Sequence, residues 1–272
     1  MGNYRTQLKV QGCPEVSINS LKSKATTDVF PTKKSKKSQN ELKLTFYPSF
    51  PVGETQESLE KVRLELLKEI QKRNNEGVIA DKMARTFAYR RQEVVNQEPL
   101  VQDFMERWSA LFREKEINAE FQRLVALPLE QTFLAQLDKY SDQFIHIIQA
   151  KGGAKLYTHT RHLFQDNSAE DVQRDLEKLT TAVFVIRKEG EGLQEPPADI
   201  GIVIEGVEVL HDLTSVASAC AHLLGLVYIL ILAYPKPLRF TFEVFQKVFM
   251  QLDPHKMSYK VQSLYGRLHI LQ

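Results

Sequence analysis

Apolar residues recur at helical spacing over most of the chain, and late in it they gather into two unbroken β-branched runs. From Thr55, placed as an N-cap, Leu59, Val62, Leu66, Leu67 and Ile70 return every three or four residues, and Asn74, Asn75 and Gly77 close the helix. A more polar helix is predicted over 78–96. Pro99 opens a third, with Leu100, Phe104, Trp108, Leu111 and Phe112 on one face, a stripe expected in a core. Short helices follow over 116–126, 128–138 and 140–150. Pro128 suits a first helical turn, and Gly152 and Gly153 form a stop. Another helix is predicted over 169–180.

The pattern then changes. Ala182 to Ile186 and Ile200 to Ile204 are continuous apolar runs rich in β-branched residues, which predicts two buried strands, with a short third at Val207 to Leu210 after a turn at Glu205-Gly206. Ser215 to Tyr234 is the most apolar stretch. It nears the roughly 20 apolar residues that a membrane span needs, but His222 and two serines interrupt it, so a central buried helix is expected instead. Pro235 and Pro237 end that helix. Phe242, Phe245, Phe249 and Leu252, then Val261, Leu264, Tyr265 and Leu268, predict two closing helices around an Asp253-Pro254 turn. The fold class expected is α+β and predominantly helical, a small two- or three-stranded sheet packed by helices. It forms a single domain over residues 46–272 with a point of subdivision near 152–168.

Residues 1–45 lack any sustained period and mix Lys, Ser, Thr, Gln and Asn, a composition that cannot offset the entropy of ordering, so a disordered basic arm is expected. Phe46, Tyr47 and Phe50, among Pro48, Pro51 and Gly53, should dock the entering chain on the body. The charge is unevenly placed. Residues 1–53 hold nine Lys and Arg against three Asp and Glu, which leaves −4 on the rest of a chain whose net charge is +2. Any pull toward anionic membrane or nucleic acid is therefore expected from the arm. Cys13 and Cys220 lie far apart, which argues against a disulfide framework, and the N-terminus has no apolar signal core. Cytoplasm, nucleus or both are expected, and secretion is not.

Three stretches carry a resemblance. Asp81-Lys-Met-Ala-Arg-Thr-Phe-Ala-Tyr-Arg-Arg91 is the first, and Arg107-Trp-Ser-Ala-Leu-Phe112 with Glu120-Phe-Gln-Arg123 is the second. The third combines Ile202-Val-Ile-Glu-Gly206, Gly225-Leu-Val-Tyr228, Tyr234-Pro235 and Thr241-Phe-Glu-Val-Phe-Gln246. Together they resemble the C-terminal region of vertebrate proteins similar to sterile alpha motif domain-containing protein 3, over most of residues 45–270. The resemblance implies an intracellular domain and supplies no catalytic residues. Two departures are expected to matter: no sterile alpha motif precedes the shared region, and the segment from Phe164 to Glu177 is shorter than in relatives.

Candidate chemistry is sparse. Gly2, with Thr6 four residues on, fits an N-myristoylation pattern, and Cys13 is a candidate for palmitoylation. One acyl chain binds membranes only marginally, and Lys33, Lys34, Lys36 and Lys37 would supply the second signal. The same lysines fit a nuclear import segment or an arm that neutralises phosphates. Lys82, Arg85, Arg90 and Arg91 form a second basic cluster on a predicted helix, a face that either meets anions or pairs with acids of a neighbouring helix. His159 and His162 stand one turn apart without a cysteine nearby to complete a zinc set. His222 is expected to be a core histidine bonded to a backbone carbonyl, and Cys220 an inert buried thiol. The Gly-x-Ser-x-Gly elbow is missing, and Lys151-Gly-Gly-Ala-Lys155 lacks the spacing of a phosphate loop. No catalytic residue, metal or cofactor is therefore expected. A non-enzymatic interaction domain with a protein partner is the expected function, ahead of a peripheral membrane adaptor and a nucleic-acid-associated nuclear protein.

Overall fold

The computed structural model describes residues 48–150, 162–164, 179–187 and 195–270. The first helix, α1 (Gln56–Glu69), begins at Thr55 in a capping box: the Ser58 N–H donates to Thr55 Oγ1, and the Thr55 N–H donates to Ser58 Oγ. Leu59, Val62 and Leu66 form its buried stripe. Phe50 docks edge-on against Tyr89, with ring centroids 6.2 Å apart. Phe46 and Tyr47 lie outside the described residues.

The helix expected over 78–96 is two helices, α2 (Glu76–Arg85) and α3 (Phe87–Gln97), hinged at Thr86. Its hydroxyl donates back to the Lys82 carbonyl at 2.7 Å and accepts from Arg90 Nη1 at 2.6 Å, bonds added to the backbone ones from Thr86 N–H to Lys82 and from Arg90 N–H to Thr86 that run through the hinge. The aromatic stripe is divided too. Helix α4 (Val101–Arg107) stops at Trp108, and a 3-10 turn (Ser109–Leu111) follows, yet Phe104, Trp108, Leu111 and Phe112 are all buried as the spacing requires. After α5 (Glu114–Val125), the two short helices expected over 128–138 and 140–150 are one helix of 22 residues, α6 (Leu129–Ala150). Nothing between Asp138 and Tyr140 breaks a helix, and Phe133, Leu137, Tyr140, Phe144 and Ile147 keep one apolar stripe along it.

The sheet has four strands in the order β1 (His162–Phe164), β2 (Thr181–Arg187), β3 (Asp199–Ile204) and β4 (Val207–Leu210). The last three are antiparallel and stand where the apolar runs predicted them. The short β1 pairs parallel to β2 and adds a strand beyond the two or three expected. Glu205 and Gly206 join β3 to β4 with φ of +56° and +78°, the two positive angles of a type I′ turn. One sheet face sends Ile200, Ile202 and Ile204 into the main core. The other carries Phe184 and Val203 with Leu179 and Ile186 in a small second cluster.

Helix α7 (Val216–Ile229) is the centre of the molecule. It packs on α5, α6, β2 and β3, and buries residues on every side, from Ser218 through Ile229. That is why its sequence is apolar all round rather than along a stripe. Gly225 permits the closest approach: a Cβ there would come within 2.5 Å of Leu129 Cδ2 and 3.1 Å of Ile117 Cγ2. The helix ends at Ile229, five residues short of the apolar run, and among the described residues no helix is long and apolar enough to cross a membrane. The chain then makes a 3-10 turn (Lys236–Leu238), α8 (Arg239–Val244), a π-helical turn (Phe245–Phe249) and α9 (Tyr259–Ile270). Phe245 and Phe249 meet Phe133 edge-on at 5.1 and 5.0 Å, which fastens this closing segment to α6.

Candidate functional site

Gly2, Cys13, Lys33, Lys34, Lys36 and Lys37 lie outside the described residues, as do His159 and the predicted 169–178 portion of a helix. The basic cluster Lys82, Arg85, Arg90 and Arg91 is described, and the structure does not assemble it into one face, because Thr86 turns the chain between its halves. Lys82 pairs with Glu65 and Arg85 with Glu54 at the surface. Arg90 is 1% exposed. It holds Glu120 by two bonds of 3.0 and 2.7 Å, donates to the Met83 carbonyl, and lies 5.1 Å from the Trp108 ring centre. Arg91 is buried as well and donates to the Ile229 carbonyl at 3.0 Å.

A second network surrounds Trp108, whose indole N–H donates to Glu93 Oε2 at 2.6 Å. Arg107 bridges Glu93 and Glu60 and also donates to the Tyr89 hydroxyl. Hydrogen bonds from Arg63, against the opposing effect of burial and with further help from Arg107, hold the Glu60 carboxyl down at about 2. Every strong charge of this network faces a partner, so it fixes α1, α3 and α4 together.

His222 is fully buried in α7. Its Nδ1 lies 2.9 Å from the Ser218 carbonyl and its Nε2 lies 3.0 Å from Asn118 Nδ2, an arrangement that assigns the neutral tautomer with the proton on Nδ1. Glu114, Glu130 and His222 bring ligand-type atoms within 4.8 Å of one another. The Nε2 lone pair already accepts from Asn118, so a cation bound by His222 there would have to displace that bond. Burial pushes the Cys220 thiol up to about 11, which makes it a poor nucleophile at neutral pH.

The residues that converge on open space lie at the C-terminal end of α7. A pocket of about 260 Å³ opens between α5, α7 and the closing segment, with an apolar wall of Leu124, Val125, Val227, Ile231, Leu232 and Leu252. Polar groups interrupt this wall. The Tyr234 hydroxyl donates to Gln246 Oε1 at 3.1 Å, and Tyr228 lines the pocket beside it. Burial pushes the Tyr234 phenol up to about 12, and Tyr228 is raised further, so both remain protonated donors at neutral pH. Burial also draws Arg91 down to about 10, which still leaves its guanidinium charged. Asp253 completes the set. Its Oδ2 is shielded from solvent and has no hydrogen-bond partner among the described residues.

The backbone around the pocket is unusual at several points. Ile231, Gln251 and Asp253 have φ of +55°, +53° and +50°, and for a β-branched isoleucine the left-handed region is a strained outlier. The Leu232 N–H bonds the Val227 carbonyl and the Met250 N–H bonds the Phe245 carbonyl, two wide i to i+5 turns whose residues Leu232 and Gln246 line the space. Those turns aim Leu232 and Gln246 into it. Tyr228, Tyr234, Gln246 and Asp253 were not singled out by sequence reasoning. The usable signal was that the resembling stretches ending at Tyr228, Tyr234-Pro235 and Gln246 each contribute a polar group to this one place.

These features define a helix-dominated α+β domain with buried ion pairs and a ligand-sized pocket at the end of its central helix. Residues 59–113 match the family model described as sterile alpha motif domain-containing protein 3, helical domain, and the chain is similar to that family over this region. The matched stretch runs from α1 through the 3-10 turn after α4, so it holds the Trp108 network and contributes Arg91 to the pocket. No curated protein and no solved structure matches the chain.

Proposed function

We propose that the chain is a non-enzymatic protein-interaction domain that binds its partner through the pocket at the end of α7. The observation that carries this reading is the pocket's composition: an apolar wall with a few fixed polar groups, the make-up of sites that hold a ligand group in one orientation. Tyr234 is held by its bond to Gln246 Oε1, an arrangement suited to recognition. The wide turns and left-handed residues that shape the space are features found at functional sites. The same reading has the domain act in the cytoplasm or nucleus, where two distant cysteines stay reduced.

The test compares partners labelled by proximity in cells for the full chain and for Leu232→Phe, which fills the pocket. A defined set of proteins should fall several-fold in the variant while its thermal unfolding stays cooperative and within a few degrees of the parent. An identical set for both proteins would overturn the reading.

A further inference from the structure

We propose that the closing segment carries a binding face for single-stranded nucleic acid, in which Arg239 and Lys260 meet backbone phosphates and the Tyr259 ring stacks on a base. None of these residues lines the pocket, so this surface goes beyond the pocket reading and stands or falls apart from it.

Charge separates the closing segment from the body it is fastened to. Residues 235–270 hold six Lys and Arg against two Asp and Glu, whereas residues 54–234 hold 21 against 29. Glu243, one of the two acids, is engaged by the Ser258 N–H and by Lys247, and Oδ2 of the other, Asp253, is shielded from solvent. Lys236, Arg239, Lys256 and Lys260 are all exposed, and none of them forms an ion pair among the described residues. Elsewhere on the surface Lys72, Lys82, Arg85 and Lys115 each have a glutamate partner.

The fold brings two of the unpaired cations together. Arg239 opens α8, Lys260 lies in the first turn of α9, and both rest on the Phe240 ring, with the guanidinium carbon 4.5 Å and the ammonium nitrogen 4.6 Å from its centre. The two charges are therefore at most about 9 Å apart, the scale of neighbouring phosphates along one strand. Stability does not ask for this arrangement. A cation in the first turn opposes the helix macrodipole, and α9 has no acid there to offset Lys260. An anion bound between the two would relieve their mutual repulsion.

The neighbouring ring selects among anionic partners. Tyr259 is 86% exposed and adjoins Lys260. A free aromatic face beside cations is the combination that holds single strands, whose bases stack on the ring while their phosphates meet the charges. A duplex keeps its bases stacked on one another, and an acidic peptide of Asp and Glu has no ring to offer. A membrane surface would call for apolar side chains to insert, but Val261 and Leu268 of the same helix are buried in the core.

The experiment follows the fluorescence anisotropy of a short labelled oligothymidylate titrated with the full chain at several salt concentrations, with the same strand lacking its bases as a second probe. The strand with bases should bind at least fivefold more tightly than the abasic one. Tyr259→Ala should remove that difference and leave the slope of log K against log salt unchanged, while Tyr259→Phe should keep it. Arg239→Gln combined with Lys260→Gln should weaken binding about tenfold and make the slope shallower by about 1.4, the contribution of two phosphates. Equal binding of the two strands by the parent protein would overturn the proposal without recourse to any variant. Binding that is lost when Lys33, Lys34, Lys36 and Lys37 become Gln, yet unchanged in the Arg239 and Lys260 variant, would assign it to the arm and overturn the face. Capture of polyglutamate or of phosphatidylserine vesicles, with no retention of the oligonucleotide, would overturn nucleic acid in favour of an acidic protein or a membrane.

Discussion

The carboxylate of Glu205, in the turn between β3 and β4, accepts the N–H of Val101 at the head of α4 at 3.1 Å. Leu100 offers α4 no side-chain cap of its own, so a residue more than a hundred positions away satisfies a donor that the helix start leaves open. Glu205→Ala should cost about 1–2 kcal/mol, the scale of a lost cap, measured by urea unfolding. Burial raises the Glu205 carboxyl, against the smaller effect of the Val101 bond. Its folded form therefore binds the proton more tightly than the unfolded chain. The stability this gives is full below the unfolded carboxyl range and is lost as pH rises through the folded value. Glu205→Gln keeps the acceptor and should flatten that loss, so its Tm should gain on the parent between pH 4 and pH 7.

Glu60 has the opposite sign. Held down at about 2 by Arg63 and Arg107, it contributes stability that is present above the ordinary carboxylate range and is lost as pH falls toward 2. In Glu60→Gln the urea midpoint should be lower than the parent's at pH 6, and the gap should close between pH 4.5 and pH 2. A gap that does not depend on pH would assign Glu60 a packing role only.

Arg90 and Glu120 are a buried pair, 1% and 4% exposed in their side chains. Arg90→Met leaves Glu120 with Arg123 alone and should cost about 3–5 kcal/mol, because a buried charge then loses its main partner. The double variant Arg90→Met with Glu120→Leu should recover much of that loss in a double-mutant cycle followed by denaturant unfolding.

Gly225→Ala places a methyl group against Leu129 Cδ2 and Ile117 Cγ2, where α7 lies closest to its neighbours. A cost of about 1–3 kcal/mol is expected, the range for overpacking, even though alanine favours the helix more than glycine does. Combining it with Leu129→Ala should cost less than the sum of the two changes, as calorimetric Tm values would show.

Much of the scaffold was legible from the order of residues. The central helix announced itself because a segment covered on every side needs no polar face, and the β3–β4 turn because Gly206 takes a positive φ without strain. Thr86 gave no warning of its hinge, since a threonine fits a helix until Arg90 and Lys82 claim its hydroxyl. Lys139 suggested a gap between helices where only an exposed turn of α6 runs. The basic spacing at residues 82–91 described one face only if that helix stayed whole. Most hidden was the pocket. Its shape depends on Ile231, Gln251 and Asp253 adopting angles that no local preference of isoleucine or glutamine foretells, and that tertiary packing imposes.

Arg91 stands at the join between the pocket and the rest of the molecule. Its bond to the Ile229 carbonyl sets a fixed cation against the negative pole of α7, where the last carbonyls of a helix lack partners. The positive contribution to the electrostatic potential inside the pocket thus comes from a side chain on α3, outside the two helices and the closing segment that form most of its wall. A guest would meet a field organised in advance, with little reorientation left to do on arrival.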